Sequence, residues 1–391
     1  MRNEWKKVTL GDVATIQTGV AKNEGYSGET IEIPYLRVAN VQDGFLDLSE
    51  IKKIKIPVEK KNRFLLQKGD VIMTEGGDFD KLGRGTIWDG QITPCAHQNH
   101  LFVVRTDCTK LNPYFLSYLS ASSYGRLYFR LSSKQSTNLA SINSTQLSLF
   151  PILLPSLEEQ KRIVETISIW DSAIEKTEKL ISEKEKKLQW IIIHYFEEAE
   201  ENKNWIVSKL SEFLKPGDKH PVENTANYRK ITIKLHKNGI EYINSQRKMA
   251  DTRPFYIRRA GELIIGKQNY FNGSIALLEK DFDGAICSNA IMSFSIAKSV
   301  NPNFLLEAIS TRKYLREKSV YANGTGQKEL SENAFLNFDV KLPSLKVQNE
   351  IMEIVNLQKS EIFLLKKQLE QYKLQKQGLM QKLLTGEWRV K

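Results

Sequence analysis

The chain repeats itself, and that repeat limits what it can fold into. Trp5 and Leu10 return as Trp205 and Leu210, an offset of 200 residues. Lys68-Gly69-Asp70-Val71-Ile72 returns as Ala260-Gly261-Glu262-Leu263-Ile264 at 192. Asn112-Pro113-Tyr114-Phe115-Leu116 returns as Asn301-Pro302-Asn303-Phe304-Leu305 at 189. Leu154-Pro155-Ser156-Leu157, with Gln160 and Ile163, returns as Leu342-Pro343-Ser344-Leu345, with Gln348 and Ile351, at 188. The order is kept and the offset drifts one way, as it does when loops differ in length while elements agree. A period near half the chain predicts two copies of one structural plan, and 391 residues leave each copy room for its own core.

Each copy begins with a globular stretch of short strands and loops. Leu101-Phe102-Val103-Val104-Arg105 and Ile231-Thr232-Ile233-Lys234-Leu235 read as strands. Asn112-Pro113 and Asn301-Pro302 each read as a helix N-cap followed by proline at the first helical position. Glycines at Gly76, Gly77, Gly83 and Gly85, and again at Gly324 and Gly326, mark tightly turning loops.

Each copy then ends in a long helix. No Gly or Pro occurs between Pro155 and Pro216, and Ser156 with Glu159 fits a capping box. The second helix has Val347 in place of that glutamate, carries Gly378 in its interior, and is expected to stop at Gly386. Apolar residues recur at alternating spacings of four and three. In the first helix they are Ile163, Ile167, Trp170, Ile174, Ile181 and Leu188; in the second, Ile351, Val355, Ile362, Leu365, Leu369 and Leu379. Thr177, Lys184, Gln358 and Lys376 interrupt the stripe. That period packs helix on helix, so core packing accounts for the stripe and the helices read as spacers. The expected fold is α+β: two similar α/β domains separated by two long helices packed as an antiparallel coiled coil with pseudo-twofold symmetry. The expected boundaries are 1–153, 154–200, 201–341 and 342–391.

The formal charge is +11 and the sequence pI about 9.2, which points to an acidic partner, most commonly nucleic acid. Three cysteines (Cys95, Cys108, Cys287) cannot pair completely. No apolar segment follows the basic start, and the run Trp190 to Ile193 is far short of the ~20 residues that span a bilayer. A reduced, cytoplasmic setting away from membrane is expected.

Catalytic signals fail on context. Asn112-Pro113-Tyr114-Phe115 is like the Asn-Pro-Pro-Tyr loop of adenine methyltransferases, but it lacks the second proline and its repeat reads as a helix start. Gly83-Arg84-Gly85 and Gly324-Thr325-Gly326 lack the Lys-Ser/Thr ending of a phosphate loop. Cys95, His97 and His100 offer no fourth metal ligand, and the repeat has Cys287-Ser288-Asn289 without histidine.

Two matching scaffolds with unlike loops suit a duplex carrying two unlike half-sites, because B-DNA repeats its major-groove face about every helical turn. Lysine and arginine pair with guanine edges, and asparagine and glutamine with adenine. The loop residues of those types are Lys81, Arg84, Lys134 and Gln135 in the first copy, and His97, Gln98 and Asn99 are a further run there that could face DNA. In the second they are Lys267, Gln268, Asn269, Gln327 and Lys328. For any one of them, a solvated surface role competes with base contact.

The whole plan resembles the specificity subunits of Type I restriction-modification systems. The resemblance is carried by the Trp-x4-Leu openings, by Leu-Pro-Ser-Leu-x-x-Gln-x-x-Ile before each long helix, and by the ending Lys382-Leu383-Leu384-Thr385-Gly386. It implies a non-catalytic subunit with two target-recognition domains that reads a bipartite, asymmetric site on double-stranded DNA. It also implies two methylation (M) subunits, which bind S-adenosylmethionine, and restriction (R) motor-nuclease subunits, which use ATP and Mg, with no cofactor in this chain. The competing reading is a coiled-coil scaffold that joins two protein-binding domains without DNA. The basic balance and the diverged polar loops favour the first.

Overall fold

A computed structural model of the chain describes residues 5–21, 28–77, 82–135, 140–198, 205–243, 253–321 and 329–390. The chain divides into two compact units: Met1–Glu178 with Lys367–Lys391, and Lys179–Lys366. The division falls inside both long helices, Leu157–Ile192 and Leu345–Leu384.

In the first unit, a four-stranded antiparallel sheet runs Ala14–Thr18, Leu101–Thr106, Val71–Thr74, Gly85–Ile87. Both of its faces are covered. Alternation sends Val71, Met73, Phe102 and Val104 into one apolar cluster, and Ile72, Leu101 and Val103 into another. A second sheet orders Lys52–Pro57, Thr30–Leu36, Ala96–His97, the last pair parallel. The helix Pro113–Ala121 adds Phe115, Leu116 and Leu119 to the main cluster, where they meet Ile163 and Ile167 of one long helix and Met380, Leu383 and Leu384 of the other. Here the long helices run antiparallel: Glu159 meets Arg389, Asp171 meets Lys376, and Glu178 meets Lys373.

The second unit repeats the plan. Its sheet runs Leu214–Pro216, Ile291–Ile296, Leu263–Gly266, Ile275–Leu277. Leu263, Ile265, Met292 and Phe294 face the cluster that holds Phe304 and Leu305, while Ile264 faces the opposite one. Ile191, Ile351, Met352 and Val355 complete the first cluster from the long helices.

The same joint fixes both helix starts. Asn112 accepts from the amides of Tyr114 and Phe115, and Asn301 from those of Asn303 and Phe304. Each Asn then donates its own amide to a glutamine on the first turn of a long helix: Asn112 to Gln160 Oε1 at 2.7 Å, Asn301 to Gln348 Oε1 at 2.8 Å. The amide nitrogen of Gln160 donates to the carbonyls of Lys110 and Pro155, and that of Gln348 to Pro343. Both glutamines are buried, so losing either would strand backbone groups away from water.

The helix start at Ser156 departs from expectation in one respect. Glu159 does donate its amide to Ser156 Oγ, at 3.3 Å. Its carboxylate turns elsewhere, accepting from Trp5 Nε1 at 3.2 Å and from the Arg389 guanidinium. A longer-range partner thus outcompetes the local cap. The second long helix continues through Gly378 and ends at Leu384, with Gly386 at φ +75.

Of the heptad positions, Ile163, Ile167 and Leu369 in the first unit are buried, as are Ile181, Ile351, Val355 and Ile362 in the second. Trp170, Ile174, Leu188, Leu365 and Leu379 are half-buried. Trp170 packs edge-on to Tyr372 with centroids 5.8 Å apart. The interrupting Lys184 and Lys376 are half-buried, and pair with Glu361 (2.6 Å) and Asp171 within their own units. No helix among the described residues is long and apolar enough to cross a membrane.

Candidate nucleic-acid interface

Strand Val71–Thr74 is followed by Glu75, and Leu263–Gly266 by Lys267. The two endings are held by the same three backbone hydrogen bonds. Thr74 N donates to Arg84 O as Gly266 N donates to Ser274 O, at 2.8 and 2.9 Å. Glu75 N donates to His100 O (3.1 Å), and Lys267 N to Ala290 O (3.0 Å). Ile142 N donates to Glu75 O, and Leu330 N to Lys267 O, both at 2.9 Å. One scaffold position therefore carries a carboxylate in one unit and an ammonium in the other.

In the first unit these bonds gather several candidate residues around Glu75. The two-residue strand Gly76–Gly77 pairs with Ala140–Ser141, which pairs with Lys134–Gln135. Close approach requires glycine at position 76, where a Cβ would stand 2.8 Å from the Ala140 carbonyl. Lys134 is exposed and Arg84 half-buried. His100 is exposed, and its Nδ1 lies 2.8 Å from Glu75 Oε2. Gln98 and Asn99 are half-buried; Gln98 Oε1 accepts from Val38 N at 3.3 Å. Lys81 lies outside the described residues, as does the side chain of Gln135.

His97 stands apart from this group. It is 1% exposed, with Nδ1 3.3 Å from the Phe64 carbonyl. Burial drives its pKa down to about 4 against the weaker pull of that carbonyl. A base edge could not reach it where it lies. Cys95, His97 and His100 do not converge, since the thiol is buried beside the Ala96 carbonyl and the two imidazoles have the separate partners given above.

In the second unit Lys267 is half-buried, and Gln268 and Asn269 are exposed on the turn that follows. That turn, Tyr270–Asn272 closed by Gly273 at φ +75, receives the amides of His236 and Lys237 on Asn272 O and Gly273 O. His236 and Lys237 both sit in the left-handed region, at φ 58 and 59, which costs roughly 1–2 kcal/mol per residue. Lys237 Nζ is anchored 2.8 Å from the buried carboxylate of Glu307, which also takes Lys359 at 2.6 Å. Burial pushes the Glu307 carboxyl up, but the two ammonium groups outweigh it and leave the group below its ordinary value. Gln327 and Lys328 lie outside the described residues.

A basic surface in the first unit escaped the loop-centred reading. Strand Lys52–Pro57 buries Ile54 and Ile56 and exposes Lys53 and Lys55, and Lys60 and Arg63 follow, also exposed. Lys53, Lys55 and Lys60 have no ion pair among the described residues. Exposed carboxylates near them include Glu29, Glu32 and Glu59. The Lys-Lys-Ile-Lys-Ile alternation was the available signal. In the second unit, cations beside the two-stranded sheet Ile231–Ile233 with Ile240–Tyr242 are engaged: Arg229 lies over Tyr242 at 3.2 Å, Lys230 over Phe255 at 4.3 Å, and Lys234 pairs with Glu241.

Comparison with known proteins gives a consistent picture. The profile of the Type I restriction modification DNA specificity domain matches residues 2–185 and again residues 202–380. The chain is 25% identical to a Methanocaldococcus jannaschii protein named as type I restriction enzyme MjaX specificity subunit, over 99% of this chain and 94% of the relative. Among solved structures, it matches the HsdS subunit from Thermoanaerobacter tengcongensis with a TM-score of 0.53 at 16% identity, covering 99% of this chain and 98% of the other. It matches a chain from a study of complex assembly in a type I R-M system with a TM-score of 0.62 at 16% identity, covering 98% of both.

Proposed function

The chain belongs to the Type I restriction modification DNA specificity domain family, and from that premise we propose that its two units read the two unlike halves of a bipartite, asymmetric duplex site. It is the DNA-recognition subunit of a Type I restriction-modification complex, and its partners are double-stranded DNA, methylation subunits and restriction subunits. It is not itself an enzyme; catalysis belongs to the partners. The observation that supports the two-headed reading is the pair of strand endings at Glu75 and Lys267, with equivalent hydrogen bonds and unlike side chains.

In this reading the target-recognition domains span 1–153 and 201–341, and the spacer helices 154–200 and 342–391. Base contacts come from Arg84, Gln98, Asn99, Lys134 and Gln135 in the first unit, and from Lys267, Gln268 and Asn269 in the second; Lys81, Gln327 and Lys328, outside the described residues, are counted with them on sequence alone. The partners hold S-adenosylmethionine, ATP and Mg, and the complex works in the cytoplasm.

Gel-shift titration of the chain with its methylation partners, across salt, tests this. One bipartite duplex should survive competitor DNA, with affinity falling steeply as salt rises. Exchange of residues 1–150 for those of a relative should change one half-site only. Equal binding to every duplex, or a change in both half-sites, would overturn the reading.

A further inference from the structure

We propose that Glu75 and Lys267 are specificity-determining residues of opposite sign, each setting one base of its half-site. Glu75 accepts from the exocyclic amino group of a cytosine, and Lys267 donates to the acceptor edge of a guanine. The proposal rests on the two-headed DNA reading above and deepens it.

Four observations carry it. The three matched backbone hydrogen bonds place the two Cα atoms equivalently in their units, so the side chains leave equivalent scaffolds. Both side chains emerge where a sheet strand gives way to the loop that holds the other polar candidates: Gly76–Gly77 beside Lys134–Gln135 in one unit, Gln268 and Asn269 in the other. Neither side chain is used in its unit's core. Glu75 remains about one-third exposed while its Oε2 holds His100, and Lys267 has no ion pair among the described residues. The neighbour diverges in step, His100 in the first unit facing Ala290 in the second.

The chemistry follows from the base edges. In the major groove cytosine presents an amino donor and guanine presents two acceptors. A carboxylate accepts from the first and is repelled by the second. It also repels phosphate, so it lowers general affinity and is useful only where it rejects wrong bases. The imidazole of His100 holds one carboxylate oxygen and limits the rotamers open to Glu75, as a base-reading group requires. An ammonium at the same place has the reverse preference.

The test uses the full chain assembled with its methylation subunits and a duplex library randomised at every position, read by selection and sequencing. E75Q should relax one base of one half-site, with discrimination at that base falling about 5- to 150-fold. K267Q should do the same at one base of the other half-site. E75K should move its position from cytosine to guanine. The unread gap and all other positions should stay as in the wild type. An unchanged consensus in both conservative variants would overturn the proposal while leaving the DNA reading intact. Equal loss of binding across all sequences would assign the pair to general affinity and also overturn it. A wild-type complex that selects no bipartite sequence would sink the underlying reading instead.

Discussion

The carboxylate of Glu307 lies 2.6 Å from the ammonium of Lys359, in the place where the first unit sets the Tyr118 hydroxyl against Asp171. Both pairs fasten the helix that begins at Asn-Pro to a long helix, one with an ion pair and one with a phenol. Lys237 joins the first and Lys376 the second. The fastening position is common to both units, and its chemistry is local to each.

Glu307 makes the second unit sensitive to acid. Its folded pKa is lowered, so its stabilisation is present above the ordinary carboxylate value near 4.5 and is lost as pH falls through the folded value. Glu307→Ala should cost about 1–3 kcal/mol at neutral pH, below the full cost of breaking a buried pair because both lysines are partly solvated. Glu307→Gln should flatten the acid limb of the stability profile. Urea midpoints between pH 3 and 7, a window set by that ~4.5 reference value, check both; an unaltered acid limb would contradict the assignment.

His97 acts in the first unit over a different window. Burial holds its folded pKa near 4, so the neutral form is favoured. Stability is full above about 6.5 and falls as the unfolded chain takes up a proton between about 6.5 and 4, a loss on the order of 3 kcal/mol. Nε2 has no hydrogen-bond partner among the described residues, so His97→Phe should fold and should lose less thermal stability than the wild type between pH 7 and pH 5. A variant with the same pH slope as the wild type would show that another group titrates.

The paired glutamines should matter alike. Gln160→Ala and Gln348→Ala each leave a half-buried backbone amide and at least one carbonyl without a partner, at about 1–3 kcal/mol each. Chemical denaturation of the full chain measures the loss, and a change of only a few tenths would mean that water replaces the side chain. The bases read should not change.

The lysine strand makes an electrostatic prediction. Each phosphate contact contributes about 0.9 to the slope of log affinity against log salt. Changing Lys53 and Lys55 together to glutamine should lower that slope by up to about 2 while leaving the consensus intact. Edge strands also use lysine to resist aggregation, and that role predicts precipitation with no change in slope. Lys60→Gln with Arg63→Gln, off the strand, separates the two.

Much of the architecture was legible because it is written in spacing. The Asn-Pro starts, the long helices and the four-three stripe depend on residues close in sequence, and the repeat allowed each element to be read twice. What escaped depends on contacts between distant residues. Nothing in Ser156-to-Glu159 shows that Trp5 and Arg389 take the carboxylate. Nothing near Gln160 shows that Asn112 needs it. His97 reads like its neighbours Gln98 and Asn99 until strand pairing turns it inward beside Phe64. Glu75 is neither a basic nor an amide side chain, the types that pair most readily with purine edges; the 192-residue offset pairs it with Lys267, and the three matched hydrogen bonds show that the two positions are structurally equivalent.

The doubled glutamine joint also bears on heredity. Gln160 and Gln348 each follow a Leu-Pro-Ser-Leu stretch at the same spacing and accept from the equivalent asparagine backbone amide of the preceding head. A DNA exchange at either stretch would splice a foreign head onto a helix already equipped to hold it. Such a hybrid would inherit an intact mechanical seam, so new target preferences could arise by cut and rejoin, without waiting for compensating changes in the fold.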